Sequence, residues 1–220
     1  MKLAAKTIDR KRLCAVIVGM VIMLVLTYNL VSYLARPVDR SILTDSPCAA
    51  PCWRGITPGE PVSREDVLQV LAKSPNISPN DIWQSSTGDG IAIRWYWKRY
   101  RKDTGWSEIF WTGRTVHHIT LSVDFDLTVE DIIGKYGQPQ AVHISLAGVP
   151  EHYYIAVNMY YPERGLRFHA KVPLDYPSLL PTTKVIGLLY TTPERLRKFM
   201  GPDQELQPWP GYGELEIPDD

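Results

Sequence analysis

Apolar residues are most concentrated near the amino terminus, where residues 13–34 read LCAVIVGMVIMLVLTYNLVSYL without a charge. A helix of that length spans about 33 Å, and a bilayer core is about 30 Å thick. Basic residues between Lys2 and Arg12 outnumber Arg36 and Arg40 on the other side, which predicts a cytoplasmic amino terminus. The pattern predicts a single-pass cell-membrane protein, anchored through Leu13 to Leu34, with its remaining residues outside the cytoplasm.

A cleaved signal peptide is the alternative interpretation of this segment, with cleavage near Ala35. Signal peptides have a shorter apolar region of about 7 to 15 residues, followed by small residues before the cut. The long run here ends in Ser-Tyr-Leu-Ala-Arg-Pro. An uncleaved anchor is therefore the favoured reading.

Downstream, the polar and apolar positions repeat one helix-opening pattern three times. Ser63, Thr128 and Thr192 each precede an acidic residue and an apolar stripe of helical spacing, as expected of helix caps. The three caps are 65 and 64 residues apart. Even spacing of this kind predicts internal duplication of one structural unit.

Between these helices the pattern changes to β-branched and aromatic runs separated by Gly, Asp and Pro turns, which predicts consecutive hairpins. Hairpins form antiparallel sheets. The predicted fold class is α+β, with an N-terminal transmembrane helix followed by tandem helix-plus-antiparallel-sheet repeats. The predicted strands lie near 82–86, 91–100, 107–112, 115–123, 141–145, 153–161, 166–172 and 184–190.

Six segments follow from these patterns. They are a cytoplasmic basic segment at 1–12, the transmembrane helix at 13–34, a linker with a cysteine pair at 35–54, a first α+β repeat at 55–126, a second repeat at 127–202 that includes the start of a truncated third helix, and a disordered acidic Pro/Gly tail at 203–220.

Charge and composition narrow the class of partner. Lys and Arg total 24 and Asp and Glu total 24, so no global field attracts nucleic acid, and no nucleic-acid partner is expected. The chain also has seven Trp and twelve Tyr, which suits aromatic packing in sheets or an aromatic binding surface.

The sequence CAAPCW places Cys48 and Cys52 in a short loop beyond the apolar run. Oxidising compartments preserve disulfides, and the pair is predicted to form one. The alternatives are a redox motif, which is more often spaced Cys-x-x-Cys, and a zinc site, which needs further ligands.

Alternation along the strands separates two sheet faces. Trp95 and Trp97 share a predicted core face with Ile93, whereas the opposite positions carry tyrosines and cations. Tyr and Arg are enriched where proteins bind partners, although an ordinary solvated face fits equally well. The candidate partner-binding face consists of Arg94, Tyr96, Lys98, Tyr154, Asn158, Tyr160, Arg167, His169 and Lys171.

Catalytic motifs are weak in this sequence. His117 and His118 are adjacent, so a regular strand points them to opposite faces. Asp124 and Asp126 lie just before a helix start, where acids are favoured. No catalytic or metal-binding residue and no cofactor is predicted, and the chain is interpreted as a non-enzyme.

The segment GITPGEPVSREDVLQVL, with a helix that closes near a Gly-x-Pro and then a strand meander, resembles the repeat of outer-membrane assembly lipoproteins of the BamE (SmpA/OmlA) type. It also resembles β-lactamase inhibitory protein, which has two such units, while CWRGITPG resembles an opening of uncharacterised membrane-anchored bacterial proteins. The resemblance covers about 55–201 and implies this fold and a non-enzymatic binding role; the chain has no lipobox, so lipid anchoring does not carry over.

These inferences together predict a membrane-anchored extracytoplasmic binding or scaffold protein, whose partner is a protein or an envelope component. One alternative is a secreted or periplasmic inhibitor or accessory subunit. Another is an envelope enzyme whose site forms from residues distant in sequence.

Overall fold

The computed structural model describes residues 10–34, 40–45, 47–88, 90–97, 105–123, 125–149, 151–201 and 205–216. The chain divides into two compact units, Met1–Pro37 and Val38–Asp220.

The first unit contains one helix, α1 (Arg10–Leu34). Among its described side chains, the uninterrupted apolar run covers residues 16–26, about 16 Å of helix. Thr27 and Asn29 follow, and their side chains donate to the helix carbonyls of Leu24 at 3.2 Å and Val25 at 2.8 Å. Within the described part of the chain, no helix combines the length and apolarity needed to cross a bilayer. The predicted transmembrane helix at 13–34, the single-pass topology and the cell-membrane location are therefore wrong.

The second unit is built mainly from strands. Its helices are α2 (Ser41–Thr44), α3 (Arg64–Lys73), α4 (Val129–Tyr136) and α5 (Pro193–Phe199), with a 3₁₀ turn at Pro162–Arg164. Its strands are β1 (Ile77–Thr87), β2 (Gly90–Trp97), β3 (Ser107–Thr112), β4 (Thr115–Ser122), β5 (Ala141–Ala147), β6 (Tyr154–Tyr161), β7 (Leu166–Pro173), β8 (Ser178–Leu179), β9 (Val185–Thr191), β10 (Leu206–Gln207) and β11 (Gly213–Glu214).

Nine of these strands form one antiparallel sheet in the order β1-β2-β3-β4-β9-β7-β6-β5-β10, while β8 and β11 pair separately. The order runs outward from a central β4–β9 pair, in which Ile119 lies opposite Tyr190 and Leu121 opposite Leu188. On one side of that pair lie β1 to β3, and on the other lie β5 to β7. The two halves therefore share a sheet rather than forming separate ones.

The three predicted helix caps are confirmed. Ser63, Thr128 and Thr192 each accept a hydrogen bond through the side-chain oxygen from the backbone N–H three residues later. Thr128 forms a full capping box, because Asp131 also accepts from the Thr128 backbone N–H at 2.9 Å. Each cap satisfies backbone donors that the helix leaves unpaired, and so fixes where the helix begins.

The hydrophobic core lies on the sheet face that α3 and α4 cover. Trp53 stacks on Trp95 with ring centroids 5.5 Å apart, and Trp97 meets both rings edge-on. Leu71 of α3 and Ile132 of α4 are fully buried in the same cluster. We call this side the core face and the opposite side the outer face.

The predicted fold class is wrong as a whole. The described residues form mostly a large antiparallel β-sheet with few helices, and none of these helices is long and apolar enough to span a membrane. If each half formed its own sheet, the edge strands β4 and β9 would each leave backbone N–H and C=O groups unpaired. Pairing β4 with β9 satisfies these groups. The last helix differs too, because α5 packs through Leu196 on Tyr160 and Leu189 of the outer face.

Both ends of this unit are more ordered than the predicted linker and tail. In the linker, Ile42 is 4% exposed and Trp53 is 1% exposed, and Cys48 and Cys52 form the predicted disulfide. In the tail, β10 pairs with β5, β11 pairs with β8, and Leu215 is buried. Apolar residues in these two segments pack into the core of the second unit. Periodicity does not predict such packing, because the segments have no regular apolar pattern.

Candidate functional site

The outer face carries all the Lys, Arg, Asp and Glu residues of the seven strands β2 to β7 and β9. They are Arg94, Glu108, Arg167 and Lys171. The alternate positions on the same strands, such as Phe168 and Ala170 of β7, are buried in the core. Charge is therefore confined to one side of the sheet by strand alternation.

The nine predicted partner-binding residues fall into three groups. Arg94, Tyr96, Tyr154, Asn158, Arg167 and His169 are half-buried on the outer face, and Lys171 is exposed there. Tyr160 is directed to that face as well, yet it is 1% exposed because α5 covers it. Lys98 lies outside the described residues. Tyr160 is thus placed to hold α5 rather than to meet a partner.

Four of these residues form what we call the Tyr154 cluster: Tyr154, Asn158, His169 and Lys171. His169 Nδ1 lies 3.0 Å from Asn158 Oδ1, and His169 Nε2 lies 3.2 Å from the Tyr154 hydroxyl. Because a carbonyl oxygen only accepts, Nδ1 donates to Asn158 and Nε2 accepts from Tyr154. Lys171 Nζ sits 4.7 Å from the Tyr154 ring centroid, a cation–π distance.

This hydrogen-bond pattern suits a neutral imidazole. Burial, together with the nearby charge of Arg167, lowers the pKa of His169 to about 4. Burial also raises the pKa of Tyr154, so its hydroxyl keeps its proton and donates. The cluster is held in one arrangement with its polar atoms satisfied.

A second group, the Arg94 cluster, lies in the other half of the sheet and consists of Arg94, Glu108, His118 and Trp106. Arg94 Nε donates to Glu108 Oε2 at 2.5 Å, and His118 Nε2 lies 3.4 Å from Glu108 Oε1. The Arg94 guanidinium also stacks 5.4 Å from the Trp106 ring. Hydrogen bonding from His118, opposed by burial and helped by Arg94, lowers the pKa of Glu108.

The expectation that His117 and His118 point to opposite faces is wrong. Phe110 pairs with His118 and the next residue, Trp111, pairs with Val116, so His117 is an extra residue in β4. Such a bulge breaks the alternation of side chains. Both imidazole rings consequently flank Phe110, at centroid distances of 5.7 and 5.3 Å.

The bulge opens what we call the Arg195 cavity, a space of about 520 Å³ between β3, β4 and α5. Strand residues form one wall and helix residues the other. Its lining consists of Phe110, His117, His118, Thr191, Arg195, Lys198 and Phe199.

Arg195 is the central cation of this cavity. Its Nη2 donates to His117 Nε2 at 3.2 Å, and its Nη1 has no hydrogen-bond partner among the described residues. Thr112 Oγ1 contacts the same His117 nitrogen. Burial, with the charges of Arg195 and His118, lowers the pKa of His117. His117 therefore orients Arg195 as a neutral acceptor and adds no counter-charge to the guanidinium.

A further cavity of about 600 Å³ adjoins the Tyr154 cluster, where Tyr154, Lys171 and Pro173 meet the 151–153 segment. Two exposed acids, Glu151 and Asp175, stand at its rim. The Arg195 cavity and this cavity thus lie in different halves of the sheet.

Sequence reasoning missed Glu108, Phe110, Arg195 and Phe199 as site residues. Alternation across β2 and β3 pairs Arg94 with Glu108, so the sequence pattern was sufficient to predict that contact. The positions of Arg195 and Phe199 beside β4 could not be predicted, because they depend on α5 lying on the outer face. Across the part of the chain that the structure describes, no group of three or more His, Cys, Asp or Glu residues is arranged to hold a metal ion.

Comparison with protein-family models gives no match, and comparisons with curated proteins and with solved structures give none either. The resemblance to the BamE-type repeat accordingly stays a hypothesis based on the quoted segments.

Proposed function

We propose that the unit from Val38 to Asp220 is a protein-binding module whose outer face binds an acidic surface of a partner protein. One observation carries this proposal: the four charged side chains of these seven strands all lie on one side of the sheet, and three of the four are cations. Glu108 is already paired with Arg94. Arg167 and Lys171 form no ion pair with any described residue, which leaves two cations for a partner's carboxylates.

The Tyr154 cluster supports the same proposal through its rigidity. Tyr154 is fixed by His169, and Lys171 is stacked on the Tyr154 ring. Ordering long side chains at an interface costs about 0.5 to 1.5 kcal/mol each. A cluster that is ordered before binding avoids part of that cost, and Tyr and Arg are residue types that often dominate binding energy.

The disulfide indicates the kind of compartment in which this module acts. Cys48 and Cys52 lie 5.7 Å apart at their Cα atoms and are bonded. Disulfides persist in oxidising compartments and are rare in the cytosol. The proposed module therefore acts in an oxidising compartment.

The enzyme alternative has one observation in its favour. His118 beside Glu108 is the pairing of a general base with an orienting carboxylate. Arg94, however, already holds that carboxylate at 2.5 Å, and no Ser or Cys is among the described residues that line the Arg195 cavity. A binding role needs no nucleophile and therefore fits this geometry better than catalysis does.

Paired photo-crosslinking tests the proposal in the native host. A photoreactive amino acid replaces Lys171 on the outer face or, as the matched control, Lys73, an exposed lysine of α3 on the core-face side. We expect a specific protein to be captured from position 171 and not from position 73. The captured protein, once purified, should bind more weakly at about 300 mM than at about 50 mM salt, because salt screens exposed charges.

Equal capture from both positions, or binding of the purified partner that ignores salt, would contradict the proposal. Capture alone is insufficient, since the salt dependence is what reports the acidic surface.

A further inference from the structure

The Arg195 cavity has an unbalanced charge that the protein-binding proposal does not use. Lys198 on its rim is paired with Glu194 at 2.9 Å. Arg195 has no ion pair with any described residue, and its hydrogen-bond contact is to His117. No Asp or Glu is among the described residues that line the cavity. Glu194 acts on Arg195 electrostatically but is hydrogen-bonded to Lys198, and Arg195 Nη1 has no hydrogen-bond partner among the described residues.

Glu108, the carboxylate that contacts His118 of the cavity lining, is already engaged. Glu108 accepts from Arg94 at 2.5 Å and contacts His118 at 3.4 Å. Within the described part of the chain, neither Glu108 nor Glu194 hydrogen-bonds to Arg195, so the unpaired Nη1 donor is available to a bound anion.

Two aromatic side chains set the second requirement. Phe110 is half-buried on the floor of the cavity between the two imidazole rings. Phe199 stands on the helix wall with 50% of its surface exposed. Ligand sites commonly combine apolar and aromatic walls with a few charged groups that fix orientation.

We propose that the Arg195 cavity binds an organic carboxylate that carries an apolar or aromatic group. The carboxylate accepts from the Arg195 guanidinium, whose planar donors match two carboxylate oxygens. The apolar group lies between Phe110 and Phe199. A free small acid and the carboxyl terminus of a peptide both have this chemistry. The inference does not depend on the proposed protein partner, because it uses none of the residues of the Tyr154 cluster.

Fluorine NMR of para-fluorophenylacetate with the full-length protein tests the site. We expect saturable binding, about tenfold or more weakened by Arg195→Gln and unchanged within about twofold by Arg197→Gln. Arg197 is the matched control, since it lies on the same helix but is exposed and paired with Glu163 at 2.8 Å. Para-fluorophenylacetamide, which keeps the ring and lacks the charge, should bind about tenfold more weakly or not at all.

Arg195→Lys protects the test against a folding defect. It keeps the charge and loses the planar donors, so we expect intermediate affinity at an unchanged unfolding midpoint. Competition with a short peptide ending in Phe, as the free acid or the amide, separates the two sources. Displacement by the free-acid peptide assigns the site to a chain end, and displacement by phenylacetate only assigns it to a small acid. Absence of saturable binding, or equal affinity in Arg195→Gln, overturns the proposal.

Discussion

The inner hairpins of the two sheet halves, β2–β3 and β6–β7, are both antiparallel and differ in the polar pair that joins their strands on the outer face. The first presents the ion pair of Arg94 and Glu108 on the outer face. The second presents Asn158 opposite His169, with the imidazole neutral. The Arg94–Glu108 pair is therefore held by opposite charges, whereas the Asn158–His169 pair is held by a hydrogen bond between neutral groups. The two pairs differ in outer-face residues, and both hairpins pack on the same core face.

The largest expected effect tests that shared core. Trp95 of β2 and Met159 of β6 are fully buried, so Trp95→Ala should cost about 3 to 5 kcal/mol and Met159→Ala about 2 to 5 kcal/mol of unfolding free energy. Because β4 pairs with β9, we expect each variant to unfold in one transition in urea. Separate transitions for the two halves would contradict a single core.

Trp95→Phe is the milder control for that measurement. It keeps a large ring and removes an Nε1–H that has no hydrogen-bond partner among the described residues. We expect it to cost clearly less than Trp95→Ala.

Acid should affect the second hairpin first. Burial lowers the pKa of His169 to about 4 in the folded state from its ordinary value of 6.5, so its contribution to stability is complete above pH 6.5. That contribution is lost as the pH falls from 6.5 towards 4, because the unfolded chain takes up the proton first. At about 1.4 kcal/mol per pH unit, the loss is at most about 3.5 kcal/mol.

Urea unfolding of His169→Gln across this pH range measures the effect. The variant should lose less stability between pH 6.5 and 4 than the wild type. His152→Gln, at an exposed position, serves as the control and should follow the wild type. If the unfolding free energies of the wild type and of His169→Gln changed equally with pH, the neutral imidazole would not be the source of the acid sensitivity.

A smaller effect separates the charged pair from the neutral pair. Glu108→Gln removes the negative charge of the acceptor in a charge-assisted hydrogen bond and should cost about 1 to 2 kcal/mol at pH 7. The cost should shrink at about 0.5 M salt, because Arg94 and Glu108 keep partial contact with solvent. Asn158→Ala is the comparison, and its cost should not change with salt. Equal salt dependence of the two variants would erase the distinction between the hairpins.

Glu108 also has its own acid window. Its pKa is lowered below the ordinary value of 4.5, so its stabilisation is present above about pH 4.5 and is lost as the pH falls through the folded pKa. The His169 window therefore begins at a higher pH than the Glu108 window.

Local chemistry made several parts of this fold predictable from sequence. The caps Ser63, Thr128 and Thr192 each depend on residues three positions away, and the main strands followed from alternation and turn residues. The two cysteines are four positions apart, so their pairing was also a local inference. Interactions of this range are encoded in short windows of sequence.

Non-local contacts were not predictable in the same way. The β4–β9 pairing joins residues more than 60 positions apart, and nothing in either strand specifies the other as its neighbour. The side of the sheet that α5 covers decides whether Tyr160 is a surface residue. The extra residue His117 in β4 reversed an inference drawn from regular alternation. Each of these depends on how elements meet rather than on their own patterns.

The apolar segment at 13–34 shows how composition alone can mislead. Its residues form the helix α1, and within its described side chains the apolar run ends at Leu26, before Thr27 and Asn29. Counting uncharged residues grouped these polar side chains with the apolar ones. Hydrophobic length, rather than absence of charge, decides whether a helix meets the requirement for spanning a bilayer.

The most direct test of the outer face as a binding surface is a charge-reversal measurement on the partner captured through position 171. The double variant Arg167→Glu/Lys171→Glu reverses the two cations without an ion pair among the described residues. Arg64→Glu/Lys73→Glu applies the same charge change to exposed positions of α3. The account predicts about tenfold or greater loss of affinity in the first variant and about twofold or less in the second. Equal affinities for the two variants would contradict it.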